Sequence, residues 1–250
     1  MSLHSQLGKL RASALTALYR RPVGLGSLGP IVTFTFDDFP RSAFTVGGKI
    51  LESYEAKATY YVAAGLMDTD SSVGRQFSRD DLASLVERGH EVAIHGFDHL
   101  SARRTRVDEF IADVRRCENA LHSYVSSGVT ANFAYPYGEA TLSAKRRLGP
   151  LMSSSRGTVP GLNGPELDLN LLRSNFLYGD VDQLDRAKRL LEKNTERKSW
   201  LIFYSHDVAE RPSQYGCTPE LLRQTVRCAA DHGAKILAVT DVVQALCPAA

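Results

Sequence analysis

The chain has 250 residues, 43% of them hydrophobic, enough for one large core or two modest ones. Thirty Lys and Arg stand against 28 Asp and Glu, a formal charge of +2, so no strong basic field points to nucleic acid. No apolar run approaches the roughly 20 residues that span a bilayer, so a membrane span is excluded.

In chain order, "MSLHSQLGKLRASALTALYRRPVG" holds a mildly amphipathic segment interrupted by Lys9, Arg11, Arg20 and Arg21. It lacks a continuous apolar leader and a small-residue cleavage site, so residues 1–28 are expected to be an N-terminal extension and the protein cytoplasmic. The four cysteines, Cys117, Cys217, Cys228 and Cys247, have no CxxC spacing and fit a reducing compartment.

"IVTFTFDDFP", Ile31 to Pro40, is a run of β-formers that should stop near Asp38, because Pro40 restricts its predecessor and offers no donor. One Asp at such a junction suits a turn. Two adjacent carboxylates beside apolar sequence need a cation, a proton or full solvation. Helical spacing follows in "FTVGGKILESYEA", at Val46, Ile50 and Leu51. The strand "ATYYVAA" then precedes a helix from Ser78, which stands three residues before Asp81 in a capping-box-like start.

"EVAIHG" is the next strand, with His95 at its end and His99 four residues on. Gly96 makes a loop a better support for both imidazoles than a helix, and the residue after His95 is not the Glu of a zincin motif. Val107, Phe110, Ile111, Val114 and Leu121 then form one helical stripe. "ANFAYPYG" brings Tyr135 and Tyr137 around Pro136 in a tight turn, before the helical "ATLSAKRRLG". "LMSSS" and "LNLLRSNFLY" are further extended candidates, on either side of the long loop 159–170. A helix over 181–195 leads to the strand "SWLIFYSH", which delivers His206 and then Asp207. A helix with Pro219 near its first turn, the strand "AKILAVT" and "DVVQALC" close the chain.

Seven or eight β-then-α units without a linker predict a mostly parallel sheet with helices outside it, one domain over residues 29–250. The first strand is not followed by a glycine-rich phosphate turn, which counts against a nucleotide fold. Asp37, Asp38, His95, His99, Tyr137 and His206 all fall at C-terminal ends of β-runs, the face where barrels of this kind build active sites. Two imidazoles and a carboxylate leave open positions on zinc or a similar divalent cation.

The ordered set "TFDD", "HGFDH", "YPYG" and "YSHD" resembles the polysaccharide deacetylase family, from Thr35 to Asp207. The resemblance implies a distorted (β/α) barrel and a metal-dependent hydrolase removing acetyl groups from N-acetylated oligo- or polysaccharides. It implies Asp37 as base, Asp38, His95 and His99 as metal ligands, Tyr137 as the backbone donor to an oxyanion, and His206 as acid. Two departures stand out. Ala134 occupies the place of the family's third-motif arginine, and its Asp-Trp motif has no clear counterpart. Arg173 is expected to orient Asp37 instead, with Asp180 or Asp182 as candidates for the missing acid. Alternatives are a small-molecule amide hydrolase of the same family and a non-catalytic carbohydrate-binding protein on its scaffold.

Overall fold

The structure, a computed structural model, describes residues 15–248; the first part of the expected N-terminal extension lies outside them. Twelve strands occur among the described residues. They are β1 (Pro22–Gly24), β2 (Ile31–Asp38), β3 (Thr59–Val62), β4 (Asp70–Ser71), β5 (Gly74–Arg75), β6 (Glu91–Ile94), β7 (Val129–Ala134), β8 (Ser154–Arg156), β9 (Glu166–Asp168), β10 (Asn175–Phe176), β11 (Trp200–Ser205) and β12 (Lys235–Ile236). The helices are α1 (Lys49–Glu52), α2 (Arg79–Glu87), α3 (Val107–Tyr124), α4 (Leu142–Leu148), α5 (Leu184–Arg197), α6 (Pro219–Asp231) and α7 (Val239–Leu246).

Seven parallel strands curl into a distorted barrel in the order β10-β11-β2-β3-β6-β7-β8, and short β12 adds an eighth beside the start of β2. The extended run over 169–178 is not one strand but a seam. Leu172 bridges Arg156 of β8, and three residues on Asn175–Phe176 pairs with β11. The long loop 159–170 carries β9, which pairs antiparallel with β1, so residues 22–24 lie against the barrel.

Alternation along β2 sorts its side chains. Val32, Phe34 and Phe36 join the larger apolar cluster with Leu85 of α2, Phe110 of α3 and Leu222 of α6. Ile31 belongs to a smaller cluster inside the barrel with Tyr61, Ala93, Ala134, Trp200 and Ile202. Thr33 also points inward and accepts the Trp200 indole N–H at 2.8 Å. By the same alternation Asp37 is an inward residue. The capping box of α2 is formed by Ser78 and Asp81, and Pro219 opens α6 behind its N-cap Thr218, as the sequence leads one to expect.

The N-terminal mouth of the barrel is closed by α7 and one buried carboxylate. Glu91 accepts from Thr59 Oγ1 (2.6 Å), Thr130 Oγ1 (2.5 Å), Asn132 Nδ2 (2.7 Å) and the Thr240 amide (2.9 Å). Those donors come from two strands, β3 and β7, and the first turn of α7, so Glu91 of β6 ties the helix to the barrel floor. Replacing it strands several buried donors at once. Glu91→Ala is expected to lower unfolding stability by about 3 kcal/mol, read as a reduced urea midpoint.

Candidate active site

Asp37 and Asp38 end β2, but alternation alone would send Asp38 to the helix side. The chain turns there through two left-handed residues, Asp38 (φ 65°) and Phe39 (φ 77°). Asp tolerates that region and Phe does not, so the turn must be held from outside. Phe39 is fully buried, stacked on Phe77 at 4.9 Å and packed on Tyr60 at 5.0 Å. The outcome is that both carboxylates reach the site.

Asp38 Oδ1 lies 3.2 Å from His99 Nε2 and 3.5 Å from His95 Nε2, and the two ring nitrogens are 3.3 Å apart. His95 is buried, and burial with His99 alongside pushes its pKa down to about 4, against the pull of Asp37 and Asp38. Its ring is therefore neutral near pH 7. Nδ1–H donates to the Ala134 carbonyl at 2.8 Å, so Nε2 carries the lone pair. Asp38 Oδ1 is a buried oxygen without a hydrogen-bond donor among the described residues. An orphaned carboxylate oxygen facing imidazole lone pairs suits a divalent cation held by Asp38, His95 and His99, the one such group of side chains among the described residues.

The loop bearing both histidines is fixed by Asp113, on the buried face of α3. Its carboxylate accepts from the Phe97 amide (2.9 Å) and the Asp98 amide (3.0 Å). Gly96 is obligatory there: φ is 79° and a Cβ would lie 2.8 Å from Asp113 Oδ2. The signal for Asp113 was in the sequence, a charge on the apolar stripe between Phe110 and Cys117.

Asp37 is 5% exposed and ion-paired with Arg156 at 2.5 Å. This corrects the expectation for Arg173. Its guanidinium donates to the Pro160 carbonyl at 3.1 Å and its backbone N–H to Asn163 Oδ1, on the loop after β8. The cation on Asp37 comes from the end of β8, whose run "SSSRG" ends in a charge just as β2 does. Register explains the exchange. Arg156 is the cross-strand partner of Ala134, so the small Ala134 leaves the lumen open to the arginine one strand over. Arg156 is 1% exposed, lies over the Tyr61 and Tyr204 rings at 4.8 and 5.2 Å, and donates to Gly157 O and Ser174 Oγ. Burial pushes the Asp37 carboxyl up, but the charges of Arg156, His95 and His206 outweigh it and hold it below the usual carboxylate range.

His206 follows β11. Its Nδ1–H donates to the Tyr215 carbonyl at 3.3 Å, and its amide reaches the same oxygen at 3.1 Å. Asp180 and Asp182, the expected acids behind this ring, make no bond to it among the described residues: Asp180 caps the turn at 181–183 by accepting from the Asp182 amide, and Asp182 is exposed. Tyr137 sits at φ 58° with its ring 4.6 Å from His99, and is 66% exposed. Tyr178, Tyr204 and Tyr215 form an aromatic wall beside His206.

Residues 27–149 match the family model for polysaccharide deacetylase. This part of the chain belongs to that family. A comparison with curated proteins finds no match. Among solved structures, a family 4 acetyl xylan esterase from Clostridium thermocellum in complex with a cobalt ion is similar at 18% identity. The match covers 86% of this chain and 91% of that one, with a TM-score of 0.57. Bacillus subtilis PdaA, a family 4 carbohydrate esterase, matches at 13% identity over 95% and 88% of the two chains, TM-score 0.55. A mutant of a pseudoenzyme of the same family matches at 14% over 86% and 67%, TM-score 0.54. The polysaccharide deacetylase fold is thus shared with both active and silent proteins, and activity must be argued from the site.

Two outcomes follow from the supports. Asp113→Ala frees the histidine loop and is expected to weaken zinc binding about 10–100-fold, the usual effect of losing an outer-shell partner, measured by competition with a chromogenic chelator. Arg156→Lys keeps the charge but not the planar fork; turnover on an acetylated substrate is expected to fall about 100-fold, with zinc affinity within threefold of the parent's.

Proposed function

We propose that this polysaccharide deacetylase domain is a metal-dependent hydrolase that removes acetyl groups from N-acetylated sugars of an oligo- or polysaccharide. The observation that carries the reading is the convergence of Asp38, His95 and His99 on one point beside a buried, ionised Asp37. A divalent cation there, zinc by the character of the donor set, supplies a Lewis acid that acidifies water and polarises an acyl oxygen.

The chain's own residues do the rest. Asp37 accepts the proton of the attacking water, and Arg156 keeps its carboxylate ionised and aimed. The backbone N–H of Tyr137 donates to the oxyanion of the tetrahedral acyl carbon, placed by the left-handed turn at that residue. His206 presents Nε2, since its Nδ1–H is committed to Tyr215 O, and as imidazolium hands a proton to the departing nitrogen. An amine leaves poorly without that proton, so the acid and the base act in one turnover. Tyr137 and Tyr215, both exposed, offer rings to sugar faces on either side.

The test is acetate release from N-acetylglucosamine oligomers, with and without a chelator. Release that stops on chelation and returns with zinc supports the reading. Metal bound at full occupancy with no release from acetylated glycans or from small amides would leave a silent binding protein. Asp37→Asn retains the ligand set and cannot take the proton, so kcat is expected to drop about 10²–10⁴-fold while the zinc content of the purified protein stays that of the parent.

A further inference from the structure

Beside the site, three loops enclose a groove of about 440 Å³ lined by Arg41, Ser72, Arg75, Asp207, Arg211 and Ser213, among others. Each loop starts from the catalytic face. Arg41 stands three residues after Asp38, so their Cα atoms lie within about 11 Å. Arg75 is on β5, whose hairpin is tied to the same turn by the Pro40–Gln76 bridge and by the Phe77 amide on Phe39 O. Arg211 belongs to the loop that begins at Asp207, the neighbour of His206.

Each of the three guanidinium groups keeps donors that a ligand could take. Arg41 is anchored through Nε to Asp81 at 2.9 Å, and its two terminal amino groups have no partner among the described residues. Arg75 has only long pairs, 3.7 Å to Asp68 and 3.5 Å to Asp70, both highly exposed and worth little. Arg211 is exposed and has no ion pair or hydrogen bond among the described residues. The one acid in the lining, Asp207, is already spent: it is buried and accepts the amide and hydroxyl of Ser213. The loop is stiff as well. Gly216 sits so close that a Cβ would lie 2.2 Å from Asp207 Oδ1, and the Ala209 amide bonds Cys217 O at 3.2 Å. Three cations on pinned loops form a preorganised acceptor for an anion.

We propose that this groove is a subsite for an anionic sugar of the substrate, a carboxylate-bearing residue one or two units from the acetylated one. The inference rests on the hydrolase reading above, because a glycan with its acetyl group at Asp37 has to run along this face. A neutral homopolymer has nothing to give these arginines. A chain alternating N-acetylated and uronic residues does, and its attraction is screened by salt.

The test separates the groove from the chemistry. First, binding of a glucuronate tetramer without acetyl groups is measured by calorimetry against a glucose tetramer, with the parent protein, Arg75→Ala and Arg211→Ala. The acidic tetramer is expected to bind at least tenfold tighter than the neutral one, and each substitution to weaken it about tenfold. Both side chains are exposed, so the variants keep the fold, checked by circular dichroism. Second, the ratio of kcat/KM for an oligomer alternating N-acetylglucosamine and glucuronate to that for an N-acetylglucosamine oligomer is expected to fall in each variant. Equal binding of the two tetramers, or acidic binding unchanged by both substitutions, overturns the subsite. Arginine-dependent binding with no acetate released from any glycan sustains the subsite and refutes the hydrolase reading.

Discussion

The site depends on one ion pair held where water scarcely enters, Arg156 on Asp37. Two opposite charges at 1% and 5% exposure are costly to bury unless each is fully matched. The barrel provides most of the match by geometry: small Ala93 and Ala134 leave lumen volume, and the Tyr61 and Tyr204 rings offer their faces to the guanidinium, whose Nε alone lacks a hydrogen-bond partner among the described residues. Removing the arginine would leave an unpaired carboxylate in low dielectric, and protonation would silence it as a base. The ion pair is thus a condition of the proposed chemistry.

Around that pair the backbone is strained on purpose. Of the eight non-glycine residues with positive φ among those described, four are Asp38, Phe39, His99 and Tyr137. Half of the strained positions thus fall within one small site. Each is held from outside: Phe39 by three aromatic rings, His99 by the Asp113-bound loop, Tyr137 by the Pro136 turn. Strain of this kind persists only where packing over-determines it. The burial of Phe39, a residue with no chemistry, is what aims Asp38.

The frame and most of the site could be read from the sequence because both follow from local pattern. Short runs of β-formers ending in Asp-Asp, His or Ser-His announce strand ends, and strand ends in such a barrel share one face. Arg156 and Arg173 show where this stops. Both terminate extended runs, and the run before Arg173 is the longer and more apolar, so local pattern favours it. What decides is register, which pairs Arg156 with Ala134 and carries residues 169–176 across the seam as two short pieces. Register between strands over twenty residues apart is set by lumen packing, and no window of sequence contains it. The partner of His206 was hidden for a similar reason: it is a backbone carbonyl, which no side-chain identity encodes.

That carbonyl has a chemical consequence. Behind an imidazole, a carboxylate both fixes the tautomer and supplies a full charge, whereas Tyr215 O supplies only the orientation. Asp37 feels the charge of His206. The proposed acid and base thus act on each other directly, and Asp37 is bound by Arg156 as well. In the proposed reaction, the position of one arginine on the lumen wall therefore bears on the base and, through it, on the acid.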